Sequence, residues 1–182
     1  MRTATGNSSA TIATRTRQQT RIGRNRPQRD ISMQASDSIK LTFRLSEDEQ
    51  GPYPVSTESL WCRPQDGGRY RIENIPFFLE GLSWGDVVAV EELEDEPGVH
   101  RVEEIVEESG YSTVWVLVKD TKAGKAVLDE LSSMGCSRES GVLPDLYAVS
   151  VPPTVDLQEV VDRLDAASES DLLAADYPSV RQ

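Results

Sequence analysis

One short segment of the sequence has the spacing of a hydrolase nucleophile. Residues 81–85 read Gly-Leu-Ser-Trp-Gly, and Asp95 and His100 follow Ser83 in the order serine, acid, histidine. A serine in this pattern is reactive when it stands at a sharp turn between a strand and a helix. Here residues 86–90 predict a strand after the serine instead. The sequence therefore favours a glycine-bounded turn over a catalytic triad, and we expect no enzyme activity.

The other reactive residue types are scarce. His100 is the only histidine, so any histidine-based acid–base mechanism must use it. Cys62 and Cys136 are the only cysteines, with no Cys-x-x-Cys spacing, and they favour two buried free thiols over a zinc site. Lys125 follows Gly124, but the spacing of a phosphate-binding loop is absent. We therefore predict no metal and no cofactor.

Acidic residues are concentrated in the middle of the chain. They form two groups, which are Glu91, Glu92, Glu94, Asp95 and Glu96, followed by Glu103, Glu104, Glu107 and Glu108. The first group lies at a predicted hairpin tip and lacks the ligand spacing of a calcium loop. A solvated acidic face is the ordinary interpretation. The alternative is a surface for a basic partner protein, with fast and salt-sensitive association.

Aromatic residues concentrate in the first half, at Tyr53, Trp61, Phe77, Phe78 and Trp84. Core packing is the usual role of such residues. The Ile-Pro-Phe-Phe stretch at 75–78 is nevertheless loop-like, because a proline donates no hydrogen bond to a strand ladder. Aromatic side chains exposed beside an acidic rim would anchor a binding partner. The candidate partner or ligand surface therefore comprises Trp61, Pro76, Phe77, Phe78, Trp84, Glu94, Asp95 and Glu96.

Charge divides the 182-residue chain into a basic lead and an acidic body. Residues 1–38 contain seven arginines and two acids, a net charge of +5, and residues 39–182 carry −17. We expect the lead to be disordered, because it has too little apolar surface to offset the entropy of ordering. It is either dispensable or untranslated, with Met33 as an alternative start, or it is a functional basic arm.

Composition also excludes several classes of partner and location. The net charge of −12 argues against nucleic acid, since phosphates are bound by lysine and arginine. No apolar run approaches the ~18 residues of a membrane span, and the lead lacks the apolar stretch of a secretory signal. We therefore expect a cytoplasmic protein that binds neither nucleic acid nor a membrane.

The hydrophobic patterns predict an α+β fold with two halves. In residues 39–108, short strands with frequent turns predict a small antiparallel, barrel-like half; the strands are expected at 39–45, 60–62, 69–73, 87–90 and 99–106. Residues 109–182 predict a ferredoxin-like β-α-β-β-α-β half. Its elements are expected to be strands at 113–118, 136–140, 146–151 and 172–177, with helices at 123–134 and from 156 onward.

Several segments resemble a known bacterial family, the domain-of-unknown-function family 4265. They include Tyr-Pro-Val-Ser at 53–56, Glu-Ser-Leu-Trp at 58–61, the stretch 68–78 around Asn-Ile-Pro-Phe, Gly-Asp-Val-Val at 85–88 and Ser-Gly-Tyr-Ser-Thr at 109–113. The resemblance covers about residues 38–177, and the Asn-Ile-Pro-Phe stretch is its most specific part. It implies a small bacterial cytosolic protein with no assigned activity. It supplies no catalytic residues, and it has no counterpart of the basic lead.

Two functions remain open from the sequence. The first is a non-enzymatic regulator, inhibitor or immunity-type protein whose acidic surface binds a protein with a basic surface. The second is a small-molecule-sensing module with a pocket near Trp61, Phe77 and Trp84.

Overall fold

The computed structural model describes residues 38–50, 55–141 and 143–182. The predictions for the lead, for Met33 and for Tyr53 concern residues outside these ranges. Within them the chain is α+β, as predicted, with antiparallel strand-rich sheets. The elements are β1 (Ile39–Arg44), α1 (Glu47–Gln50), β2 (Thr57–Gln65), β3 (Arg69–Ile72), β4 (Val87–Glu92), β5 (Val99–Glu107), β6 (Ser112–Val118), α2 (Thr121–Met134), β7 (Ser137–Ser140), β8 (Leu146–Val151), α3 (Leu157–Glu169) and β9 (Leu173–Ser179).

Strands β1 to β5 form a closed barrel in chain order. Consecutive strands pair antiparallel, and the barrel closes through a parallel pair of β1 and β5, in which Phe43 lies opposite His100. The parallel pair follows from the strand number, because the first and last of five alternating strands run in the same direction. Inward-facing residues fill the interior, and they include Leu41, Phe43, Leu60, Cys62, Ile72 and Val88.

Strands β6 to β9 form a second, four-stranded sheet in the order β7-β8-β6-β9, with every pair antiparallel. Helices α2 and α3 contribute Leu128, Leu131, Val160 and Leu164 to one core with Val116 of β6. Local capping fixes where the helices begin and end. Asp120 accepts hydrogen bonds from the first turn of α2, Asp156 does the same for α3, and Gly135 ends α2 with φ of 113°.

Residues 73–86, between β3 and β4, connect the barrel to the opposite face of the second sheet. The indole Nε1 of Trp115 donates to the Pro76 carbonyl at 2.8 Å, and the hydroxyl of Thr113 donates to the Leu82 carbonyl at 3.1 Å. Both halves belong to one compact unit, Ala35–Gln182, and the predicted boundary at 108 falls between β5 and β6. In the described part of the chain, no helix is long and apolar enough to cross a membrane.

Candidate functional site

The tip of the β4–β5 hairpin carries the three acidic candidates. Glu94 and Asp95 are exposed, and neither forms an ion pair or hydrogen bond within the described residues. Glu96 is half-buried because its carboxylate is paired with the guanidinium of Arg44 on β1, with an Nε–Oε2 distance of 2.9 Å. The amide of Gly98 donates to Glu92 Oε1 at 2.7 Å. The hairpin therefore holds Glu94 and Asp95 at a fixed turn and leaves their charges uncompensated.

More carboxylates continue from this tip along both strands. We call the following exposed set the acidic hairpin: Glu91, Glu92, Glu94, Asp95, Glu103, Glu104, Glu107 and Glu108. Two arginines neutralise part of its negative charge. Arg101 lies 2.5 Å from Glu91, and Arg181 lies 3.5 Å from Glu108. No group of three metal-ligating side chains able to hold a metal occurs in the described residues. The acidic hairpin is thus a broad negative surface.

A buried carboxylate holds the aromatic loop after β3. Glu58 is 8% exposed, and its carboxylate accepts hydrogen bonds from the amides of Phe77, Phe78 and Leu79 at 2.7, 2.9 and 3.1 Å. Burial raises the pKa of Glu58 and the nearby charge of Glu49 raises it further, while the three amide donors oppose this shift. Sequence analysis did not identify Glu58 as a functional residue. Its position two residues before Leu60 on β2 places it on the same inward-facing side of that strand as this buried leucine.

This loop determines where the aromatic candidates lie. Pro76 and Phe78 are buried, and Phe77 is half-buried against the Cα of Gly141, where a side chain would come within 2.8 Å of its ring. Phe77 and Phe78 line a cleft of about 260 Å³ between the loop and the second sheet, with Trp115 on its other side. We call it the Phe77 cleft.

Trp84 lies in a different cleft, of about 250 Å³, which we call the Trp84 cleft. Its indole is 39% exposed and meets the ring of Tyr111 edge-on, with centroids 4.8 Å apart and planes at 71°. The lining residues are Ile75, Trp84, Tyr111, Ser137, Arg138, Glu139 and Ser150. The cleft therefore lies between an aromatic wall, formed by Trp84 of the first half and Tyr111 of the second, and the β7–β8 edge of the second sheet.

Trp61 lies on the outer face of β2 and is 52% exposed. Its partner on β1 is Lys40, and Arg63 follows two residues later on the same face. Trp61 therefore lies beside Lys40 and the Arg63–Glu73 ion pair, whereas Phe77 and Trp84 line clefts beside the second sheet.

The structure does not join the three residues of the hydrolase-like pattern by hydrogen bonds. Ser83 is fully buried. Its hydroxyl donates a hydrogen bond to the Ser179 hydroxyl at 2.9 Å and accepts one from the Thr113 hydroxyl at 3.0 Å. His100 lies on β5 with its Nδ1 3.4 Å from the Thr42 carbonyl, and Asp95 is at the hairpin tip. The element that follows Ser83 is strand β4, as predicted.

A buried ion pair lies next to Ser83, between Asp86 and Arg181. Asp86 is fully buried, and its Oδ2 lies 3.1 Å from Arg181 Nη2. The amides of Ser83 and Ser109 donate to the two oxygens of Asp86 at 2.9 and 2.8 Å. Arg181 also donates to the Gly81 carbonyl at 2.6 Å. This network ties the loop before β4 to the segment after β5 and to the end of the chain.

Cys62 and Cys136 are free and buried, as predicted. Burial raises the pKa of Cys62 to about 12 and that of Cys136 to about 11. Because the thiolate is the reactive form, we expect neither cysteine to react with an aromatic disulfide reagent in the folded protein at pH 8. Unfolding in guanidinium should release two thiols. Rapid labelling of either cysteine in the native protein would contradict this prediction.

The fold and the site define an α+β protein in which a closed five-stranded barrel is joined to a four-stranded sheet, with a broad acidic surface. The family model "Domain of unknown function (DUF4265)" matches residues 58–175, more than half of the chain, and the chain belongs to this family. The resemblance inferred from the sequence is thereby confirmed.

Comparison with solved structures gives one informative likeness. The chain is similar to a hypothetical protein from Neisseria gonorrhoeae described as a novel crystal structure, with 20% identity and a TM-score of 0.63. The alignment covers 82% of this chain and 99% of that one. At this identity the likeness shows the fold alone. No curated protein matches the sequence.

Proposed function

We propose that this protein is a non-enzymatic regulator, inhibitor or immunity-type protein that binds a partner with a basic surface through its acidic hairpin. The observation that carries the proposal is the placement of Glu94 and Asp95, exposed at a tip fixed by the Glu96–Arg44 pair, without a compensating cation in the described residues. Fixed charges of one sign speed the encounter with an oppositely charged partner. We further propose that binding takes place in the cytoplasm.

The architecture supports a rigid presentation of this surface. We propose that the second half is ferredoxin-like, because the chain runs β6-α2-β7-β8-α3-β9 and the sheet order is β7-β8-β6-β9. The barrel is anchored to this sheet by the Asp86–Arg181 network, which begins directly before β4. The acidic hairpin is therefore presented on a strand pair that is held at its base.

Charge reversal at the tip is expected to slow association with the partner. The protein partner recovered with the full chain at low salt is first identified, and its association rate is then measured. The Glu94→Lys and Asp95→Lys double variant should associate about tenfold more slowly, and wild-type association should weaken steeply as salt rises. The readout is surface plasmon resonance over a series of salt concentrations.

The matched control places the same charge change elsewhere. Asp162 and Glu169 are exposed on α3, and their replacement by lysine alters net charge equally while leaving the acidic hairpin intact. This control should retain most of the wild-type rate. Equal losses in both double variants, or binding that is independent of salt, would overturn the proposal.

A second candidate function, binding of a small molecule, is favoured by the Phe77 and Trp84 clefts. Each places aromatic side chains beside the second sheet, and small-molecule sites are commonly apolar concavities with a few polar groups. The polar groups of the Trp84 cleft include the half-buried carboxylate of Glu139 and the buried hydroxyl of Ser150.

A further inference from the structure

Two hydrogen-bond acceptors in the Trp84 cleft, the carboxylate of Glu139 and the hydroxyl of Ser150, are incompletely satisfied. Glu139 is half-buried there, and one of its oxygens, Oε1, accepts from the amide of Ile75 at 3.1 Å. No lysine or arginine of the described residues forms an ion pair with this carboxylate. Burying a carboxylate without a cationic partner is costly. Consistently, burial raises the pKa of Glu139.

A second polar group of the cleft is also unsatisfied. Ser150 on β8 is only 3% exposed, and its Oγ has no hydrogen-bond partner among the described residues. Buried hydroxyl groups are rarely left without a partner, and each such case calls for an explanation. A donor that enters the cleft would satisfy this group together with the carboxylate.

The neighbouring arginine, Arg138, forms no ion pair with Glu139. Arg138 precedes it on β7, and neighbouring side chains on a strand point to opposite faces. The guanidinium of Arg138 is paired with Asp129 on α2 at 2.7 Å, on the helix side of the sheet. Arg138 therefore lines the cleft without pairing with Glu139, and within the described residues this carboxylate has no cationic partner.

The opposite wall of the cleft suits a cation. The partly exposed indole of Trp84 stands edge-on to Tyr111, so the two rings offer π surface at different angles. Aromatic faces attract ammonium and guanidinium groups, and tryptophan does so best. The volume of about 250 Å³ lies below the range of about 300–1,000 Å³ for drug-sized ligands, which limits the ligand to a short chain.

We propose that the Trp84 cleft binds a terminal ammonium or guanidinium group on a short aliphatic stem. Glu139 pairs with the positive charge, Ser150 accepts one of its N–H groups, and Trp84 and Tyr111 cover the stem. Such a group occurs on free amines and on the lysine and arginine side chains of proteins. The site gives the second candidate function its ligand class, and it does not depend on the acidic hairpin.

The test is a titration of the full chain followed by two-dimensional amide NMR. The probes are butylguanidinium and butylammonium chloride, with n-pentanol as an uncharged molecule of similar length, all at constant ionic strength. We expect saturable shifts of the Trp84 indole and of the amides of Ile75 and Glu139 with both cations. Pentanol should produce no saturable shift at these positions.

Three variants separate the cleft from general charge attraction. Glu139→Gln keeps an acceptor for the amide of Ile75 but removes the charge, and it should weaken butylguanidinium binding about tenfold or more. Ser150→Ala should weaken binding severalfold. Glu169→Gln removes an exposed carboxylate of α3, outside both the acidic hairpin and the residues that line the cleft, and should leave affinity nearly unchanged.

A further arm identifies the source of the cation. An acetylated and amidated Gly-Arg-Gly peptide that causes the same shifts indicates a protein side chain, whereas shifts with butylguanidinium alone indicate a free amine compound. Equal shifts with pentanol, or unchanged affinity in Glu139→Gln, would overturn the proposal. Since the hairpin variants retain the whole cleft, failure here is distinguishable from failure of the acidic-hairpin proposal.

Discussion

Replacement of Asp86 by alanine is expected to lower the free energy of unfolding by about 3–5 kcal/mol. The side chain is fully buried, and its removal leaves the guanidinium of Arg181, itself 11% exposed, without its close partner. The amides of Ser83 and Ser109 lose their acceptor at the same time. Breaking a buried pair on one side costs more than the pair contributes, because the remaining charge stays desolvated.

Urea unfolding of the full chain, followed by circular dichroism, measures this effect. Asp66→Ala, in the exposed turn between β2 and β3, is the matched control and should change stability by less than about 0.5 kcal/mol. A double-mutant cycle with Arg181→Met tests the pairing, because removing both charges should cost less than the two single losses combined. A loss below about 1 kcal/mol for Asp86→Ala would show that water replaces the missing carboxylate.

Elements with local signals could be predicted from the sequence. The alternation from Ile39 to Leu45 identified β1, the apolar spacing and Gly135 identified α2 and its end, and Asp156 identified the start of α3. The predicted strand at 60–62 was too short, since β2 runs from Thr57 to Gln65. Its ends include Glu58 and Pro64, residue types that strands disfavour, so propensity hides the true length.

The groups that build the candidate sites were harder to predict, because they are brought together by the fold. Asp86 and Arg181 are 95 residues apart, and nothing near either residue identifies the other. The acidic hairpin was visible as a run of charges at a turn, but its pairing of Glu96 with Arg44 depends on barrel closure. The Trp84 cleft joins Trp84 to Glu139 and Ser150, which belong to strands of the other sheet. A single aromatic residue in the sequence gives no sign of such neighbours.

Replacement of Glu58 by alanine is expected to lower the free energy of unfolding by about 3 kcal/mol, the second-largest stability effect. The amides of Phe77, Phe78 and Leu79 would lose their shared acceptor, and two of these contacts are buried. Loss of the carboxylate should also release the aromatic loop from β2. Urea unfolding measures the stability, and the amide signals of 77–79 report the loop. Glu80→Ala, an exposed acid in the same segment, is the control.

The pH dependence of this substitution has a definite sign. Because the pKa of Glu58 is raised in the folded protein above its ordinary value of 4.5, the folded state holds this proton more tightly than the unfolded state. The contribution of Glu58 to stability is therefore largest below 4.5 and decreases as pH rises through the folded pKa. Glu58→Ala should consequently cost more near about pH 5 than at about pH 7. A cost that increases toward neutral pH would instead mean that the three amide donors lower the pKa of Glu58 by more than burial raises it. The folded protein would then favour the charged carboxylate at this position.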